Sequence, residues 1–243
     1  MTAVAPAIVA TCAGLDPGSW TDATYGPLLR HAISLARVLG RPPRVLHVNT
    51  AGGDQRSVES AELEAARLIG VEASHLHFFP RVNVPSLRDA VLGVDVIWVS
   101  GGSLVNLLAV WRAHGLDAIL REAWEAGVVI AGGSAGAVCW FAGGTTSSFG
   151  PSITAVADGL EFLPGSLAVH YDSDPGRRPA HEAAVASGIL PGGFALDEGV
   201  GLVFRGQELT DVLAEHPGRF AWRVERDDAG SAVEARLDPR LLL

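Results

Sequence analysis

Residues Val128–Trp140 read VVIAGGSAGAVCW, and the reading of this stretch decides the fold. Val128–Ala131 are apolar, as in a strand buried on both faces. The run stops at two glycines and a serine, then restarts as small residues suited to a closely packed helix. Gly132-Gly133-Ser134-Ala135-Gly136 fits G-x-S-x-G, a pattern that sets serine on a sharp strand-to-helix turn. Such a turn forces unusual backbone angles, and side chains beside the serine collide. Gly132, Gly133, Ala135 and Gly136 remove that bulk. The plainer reading is one more glycine-rich turn in a chain with 29 glycines. The strand before and the helix after favour a nucleophile at Ser134, at a strand's carboxyl end, where parallel sheets bind ligands.

The flanking sequence alternates strand and helix signals. Upstream strands are read at Ala7–Cys12, Arg44–Thr50, His75–Pro80 and Asp95–Gly102. Helices are read over Tyr25–Leu39 and Ser57–Gly70, then at SLRDAVLG, LVNLLAVWRAHG and LDAILREAWEAG. Near-continuous apolar strands separated by helices imply a parallel sheet covered on both faces. Residues 142–159 (AGGTTSSFGPSITAVADG) read as an irregular surface loop. SLAVHYD returns as a strand, RRPAHEAAVASG as a helix, and GFALDEGVGLVFRG as a strand with an internal turn. Residues 220–239 read as an antiparallel hairpin turning at Asp228-Ala229-Gly230. The expected fold is α/β: one three-layer α/β/α domain over residues 1–243, with a mostly parallel sheet and a C-terminal antiparallel hairpin.

Composition narrows the function. Of 243 residues, 48% are hydrophobic and 19% charged, enough to build a core and incompatible with disorder. A net charge of −9 argues against a nucleic-acid partner. The opening MTAVAPAIVATCAG lacks the basic start and long apolar core of a signal and is read as the first strand. With no long apolar span, the expectation is a cytoplasmic protein with no membrane partner. Cys12 and Cys139 lie in apolar runs and read as buried free thiols. No cysteine–histidine spacing suggests zinc, so no metal and no cofactor are expected.

Ser134 needs a base and an oxyanion site. The N–H of Ala135 opens the helix after the serine. VSGGS at Val99–Ser103 ends the neighbouring strand, and Gly101 or Gly102 supplies a second N–H. One such donor is worth about 3–4 kcal/mol of barrier. Of eight histidines, His170 is the best base, because it ends a strand in a polar, turn-rich setting.

DVIWVSGGSLVNLL, GVVIAGGSAGAVCWF, AVHYDSDPGRRPAHEAA and FALDEGVGLVF occur in this order. Together they resemble peptidase E, the aspartyl dipeptidase family of serine peptidases, over roughly Ala7–Val224. The resemblance implies a fold similar to class I glutamine amidotransferases, with serine where those enzymes hold cysteine. It implies hydrolysis of dipeptides with an N-terminal aspartate, Ser134 as nucleophile and His170 as base. It places the substrate-carboxylate arginine at Arg178, with Arg177 beside it. A guanidinium suits that role through paired hydrogen bonds. A small peptide is then the partner, and a homodimer is compatible, with the terminal hairpin offering an edge.

One position departs from the pattern. Related sequences often carry the triad aspartate where Ser147 stands. Asp172, two residues from His170, is one replacement, and Glu198 in LDEG is the other. Asp172 also reads as a turn former, so Glu198 is preferred; Asp174 and Asp197 are weaker. Three alternatives compete: a cyanophycinase, an esterase using Asp211 and His216, and a silent binding or sensor protein that lost its acid.

Overall fold

The computed structural model describes residues 6–18, 21 and 23–242. Residues 1–5 of the amino-terminal run lie outside the described residues. The first half contains β1 (Ala7–Thr11), β2 (Leu15–Asp16), β3 (Thr24–Tyr25), α1 (Pro27–Leu35), β4 (Arg44–Val48), α2 (Arg56–Leu68) and β5 (Glu72–Leu76). It continues with α3 (Leu87–Leu92), β6 (Val96–Val99), α4 (Leu104–His114), α5 (Leu116–Glu125), β7 (Val129–Gly133) and α6 (Ala135–Val138). Then come β8 (Gly143–Thr146), β9 (Thr154–Val156), β10 (Ser166–Ala168), α7 (Arg177–Ala186) and β11 (Gly193–Leu196). β12 (Val200–Arg205), β13 (Glu208–Ala214), β14 (Ala221–Arg226), β15 (Ala232–Leu237) and β16 (Arg240–Leu241) complete the chain.

The architecture is α/β, as expected. An eight-stranded sheet has the order β16-β13-β12-β1-β7-β6-β4-β5. Its strands from β1 to β5 in that order are parallel, and β12 runs antiparallel to β1. β1 shows why such strands read as continuous apolar runs: Ile8 and Ala10 face one core cluster, Ala7 and Val9 the other. α1 and α2 cover the second face with Leu28, Leu29, Ala32, Ala65 and Ala66. α3, α4 and α5 cover the first with Val91, Leu107, Trp111 and Leu120.

The C-terminal hairpin forms as expected from β14 and β15, but it belongs to a second sheet. That six-stranded sheet has the order β15-β14-β11-β10-β8-β9. Leu167 and Phe194 on its inner side share the core cluster of the larger sheet, and α7 covers its outer side with Ala184 and Val185. GFALDEGVGLVFRG is therefore two strands in two sheets: β11 pairs with β10, and β12 pairs with β1.

Residues 142–159 correct the sequence reading. They contain β8, fully buried, and β9, rather than an irregular surface loop. The glycines serve close packing. A Cβ on Gly143 would lie 2.2 Å from the Val156 carbonyl oxygen, and one on Gly144 would lie 2.1 Å from that of Leu167. Glycine is required where backbones approach this closely. Among the described residues no helix is long and apolar enough to cross a membrane.

Candidate active site

The serine turn is built from close backbone contacts. β7 pairs in register with β1 up to Thr11 and Gly133, and the Ser134 N–H then donates to the Thr11 carbonyl at 3.1 Å. Ser134 adopts φ 55° and ψ −121°, a sparsely populated region for a residue with a side chain. Its neighbours have no room for a Cβ: one on Gly132 would lie 2.2 Å from the Gly136 carbonyl oxygen, and one on Gly136 the same distance from that of Val99. α6 follows at once and has four residues.

Three segments far apart in sequence meet at the serine. Ser134 Oγ lies 2.9 Å from His170 Nε2, and His170 Nδ1 lies 2.5 Å from Glu198 Oε1. An ionised carboxylate only accepts, so Nδ1 carries the hydrogen and Nε2 is left to accept from the Ser134 hydroxyl. His170 also has a positive φ, 59°, in the left-handed region that few residues with side chains adopt. Ser173 Oγ donates to Glu198 Oε1 at 2.7 Å. Burial works against ionisation of Glu198, but hydrogen bonds from His170 and Ser173 outweigh it and hold the carboxyl below its usual range.

Of the competing acids, Asp172 accepts the Glu198 N–H at 2.9 Å and is paired with Arg219. It braces the acid that meets the histidine. Asp174 accepts the Gly176 N–H at 3.0 Å, and Asp197 accepts Phe220 N–H and Trp222 Nε1–H at 2.9 and 3.1 Å. Asp211 is paired with Arg240 on β16 at 2.6 Å, so the esterase pairing with His216 is not assembled at Ser134.

The second glycine-rich strand end packs on Ser134. A Cβ on Gly101 would lie 2.9 Å from Ser134 Cβ. Gly102 lines a small pocket together with Ser134, Ala135, Thr146, Ser147 and Arg177. Among the described residues, the N–H groups of Gly101, Gly102 and Ala135 have no backbone acceptor. Ser103 Oγ accepts the Asn106 N–H at 3.3 Å, fixing the start of α4 directly after this turn.

The two arginines diverge. Arg177 is buried, reaches the Thr145 carbonyl at 2.7 Å, stands 3.5 Å from Asp174 and lines the Ser134 pocket. Arg178, the expected substrate ligand, donates instead to Glu234 at 2.5 Å. Its guanidinium lies 4.5 Å from the ring centres of both Tyr171 and Trp222.

Sequence reading missed two groups. Cys12 is buried, as expected, yet its sulfur accepts the His170 N–H at 3.2 Å and lies 3.4 Å from Glu198 Oε2. Its place directly after β1, one strand over from Ser134, was the available signal. Burial, and then the Glu198 charge, push its thiol pKa up. The other group is tied to Ser100, the residue before Gly101. Glu62 is buried and takes bonds from Asn49 at 2.7 Å and from Ser100 at 3.1 Å, with His75 Nε2 at 2.7 Å and His47 Nδ1 at 3.3 Å. Burial opposes ionisation of Glu62, but those partners hold its carboxyl far below the usual range.

Known proteins share this sequence and shape. Residues 24–212 match Peptidase family S51. The uncharacterized peptidase YgaJ of Bacillus subtilis (strain 168) is 41% identical over 182 residues, covering 75% of this chain and 78% of that protein. A crystal structure of a peptidase from an acI-B1 actinobacterium superimposes with a TM-score of 0.65 at 17% identity, covering 97% of this chain and 95% of that one. A putative peptidase E protein from Listeria monocytogenes EGD-e superimposes with a TM-score of 0.57 at 16% identity, covering 96% and 100%. At this identity the two structures speak to fold, while the sequence matches speak to descent: the chain is a peptidase and belongs to family S51, the family of peptidase E.

Proposed function

We propose that this peptidase is serine-type and hydrolyses dipeptides or short peptides with an N-terminal aspartate. The observation carrying this reading is the contact chain from Ser134 Oγ through His170 to Glu198, at 2.9 and 2.5 Å. His170 Nε2 takes the serine proton as Oγ attacks the peptide carbonyl, and Glu198 stabilises the imidazolium that results. The N–H of Ala135 and that of Gly101 or Gly102 hold the oxyanion. His170 then protonates the leaving amine, and water frees the acyl-enzyme by the same steps in reverse.

Arg177, rather than Arg178, is the residue proposed to grip the substrate's aspartate side chain. It lines the serine's pocket, whereas Arg178 is already committed to Glu234. The reaction needs only these side chains and water. With Glu198 beside His170, the serine at position 147 does not leave the histidine without an acid.

A panel of Asp-X, Glu-X, Asn-X and Ala-X dipeptides, run beside Ser134→Ala, tests the reading. Cleavage confined largely to Asp-X and lost in the variant is expected. Equal cleavage of Ala-X removes the arginine clamp, and full activity in Ser134→Ala removes the serine mechanism.

A further inference from the structure

We propose that Cys12 Sγ, His170 Nδ1 and a carboxylate oxygen of Glu198 form an inhibitory site for a zinc-class divalent cation. The proposal rests on the serine-peptidase reading for its effect on catalysis, but not for the binding itself. The three donor atoms lie within 4.8 Å of one another. Cysteine sulfur, imidazole nitrogen and carboxylate oxygen are each zinc ligands.

The spacing fits. Zinc bonds of about 2.3 Å to sulfur and about 2.0–2.2 Å to nitrogen or oxygen set tetrahedral ligands about 3.4–3.6 Å apart. Cys12 Sγ lies 3.5 Å from His170 Nδ1 and 3.4 Å from Glu198 Oε2. On binding, the 2.5 Å contact of His170 Nδ1 with Glu198 Oε1 gives way, because the cation takes the Nδ1 position. The side chains of His170 and Glu198 are 32% and 40% exposed, so solvent reaches the site from one side. The buried trio His47, Glu62 and His75 has comparable ligands but is sealed, with 0%, 1% and 7% exposure.

The proton balance explains inhibition. Before binding, one hydrogen sits on the Cys12 sulfur and one on His170 Nδ1. The cation takes both positions: the thiol proton leaves to solvent, and the imidazole proton moves to Nε2. Thiolate and carboxylate together cancel the charge of the cation. His170 now presents an N–H to Ser134 and can no longer accept its proton. The metal thus arrests the base without touching the nucleophile, and water completes its coordination.

The test titrates chelator-treated protein with Co²⁺, followed by Zn²⁺, reading near-ultraviolet absorbance. One cobalt per chain with a thiolate charge-transfer band, displaced by zinc, is expected. Cys12→Ser abolishes the band and weakens zinc binding by at least ~10–100-fold, while Cys139→Ser keeps both. Should Cys12→Ser fail to fold by circular dichroism, Glu198→Gln supplies the second arm, with zinc affinity reduced by a similar factor. A missing band in the wild type, a band surviving Cys12→Ser, or zinc affinity unchanged in Glu198→Gln overturns the proposal. In parallel, zinc should block Asp-X cleavage reversibly with chelator. Absence of Asp-X cleavage in the wild type counts against the substrate reading alone, since the cobalt band still decides the metal site.

Discussion

His170 has two faces, and each residue around it acts through one of them. Glu198 holds the hydrogen on Nδ1 at 2.5 Å, which leaves Nε2 free to accept from Ser134 at 2.9 Å. Glu198→Gln keeps the shape but offers an amide that satisfies either tautomer and carries no charge. We expect kcat on an Asp-X dipeptide to fall roughly 10³–10⁴-fold with KM little changed. A fall in KM-dependent terms alone would mean that Glu198 orients substrate instead. The arginines separate in the same assay. Arg177→Met should abolish the preference for Asp-X over Ala-X, because Arg177 lines the serine pocket. Arg178→Met should spare that preference and lower stability by about 1 kcal/mol, from the lost Glu234 pair and the two ring contacts. The resemblance puts Arg178 first with Arg177 beside it, and the residue pattern alone does not show which of the two faces the serine pocket. Adjacent helix residues point about 100° apart, and only the packing of α7 on the second sheet decides which one faces inward.

Ser134 is presented by two glycine-rich strand ends, on β7 and after β6, and their glycines fail in different ways. A Cβ on Gly101 meets mainly the Ser134 side chain, at 2.9 Å from its Cβ. If the proposed mechanism holds, Gly101→Ala should fold normally and lose about 10²-fold in kcat/KM as Ser134 is displaced. A Cβ on Gly136 meets the Val99 backbone, at 2.2 Å from its oxygen and 2.6 Å from its carbonyl carbon. Gly136→Ala must push α6 off β6, at a cost of about 3 kcal/mol or more, visible as a lowered urea midpoint. Equal stability of the two variants would contradict this division. The same backbone contacts explain what was legible. β1, β6 and β7 carry no charged or ionisable side chain on either face and announce themselves. β8 reads GGTT, and its glycines look like a loop because single-sequence pattern does not separate a flexible glycine from one crowded by Val156 and Leu167.

At the scale of the molecule, the site lies where two sheets meet. The chain leaves the second sheet after β11 and enters the first at β12, and the crossing at Asp197–Gly199 carries Glu198 to His170. The sequence reading weighs Asp172, two residues from His170, against Glu198 and prefers the glutamate; the crossing is the physical reason that the more distant residue is the neighbour. The same two-sheet arrangement buries His181 completely under the second sheet, four residues after Arg177 on α7. Among the described residues neither ring nitrogen has a hydrogen-bond partner, and the Tyr171 ring stands edge-on to it at 6.3 Å. Burial, with the Arg177 charge adding to it, pushes the His181 pKa down to about 4 from an ordinary 6.5. Between those values the unfolded chain binds a proton that the folded chain refuses, so stability rises with pH across that window. The contribution is complete above pH 6.5 and is lost as pH falls toward 4. Glu62 acts lower down: its depressed carboxyl adds stability that disappears only below about pH 4.5, the ordinary glutamate value. Urea unfolding at pH 7 and pH 4.5, compared between the wild type and His181→Phe, separates this histidine from other groups of the window such as His31. Stability should drop by about 2–3 kcal/mol between the two in the wild type, and His181→Phe should remove most of that drop. An equal drop in the variant would assign the acid sensitivity to other groups and leave His181 protonated without cost inside the fold.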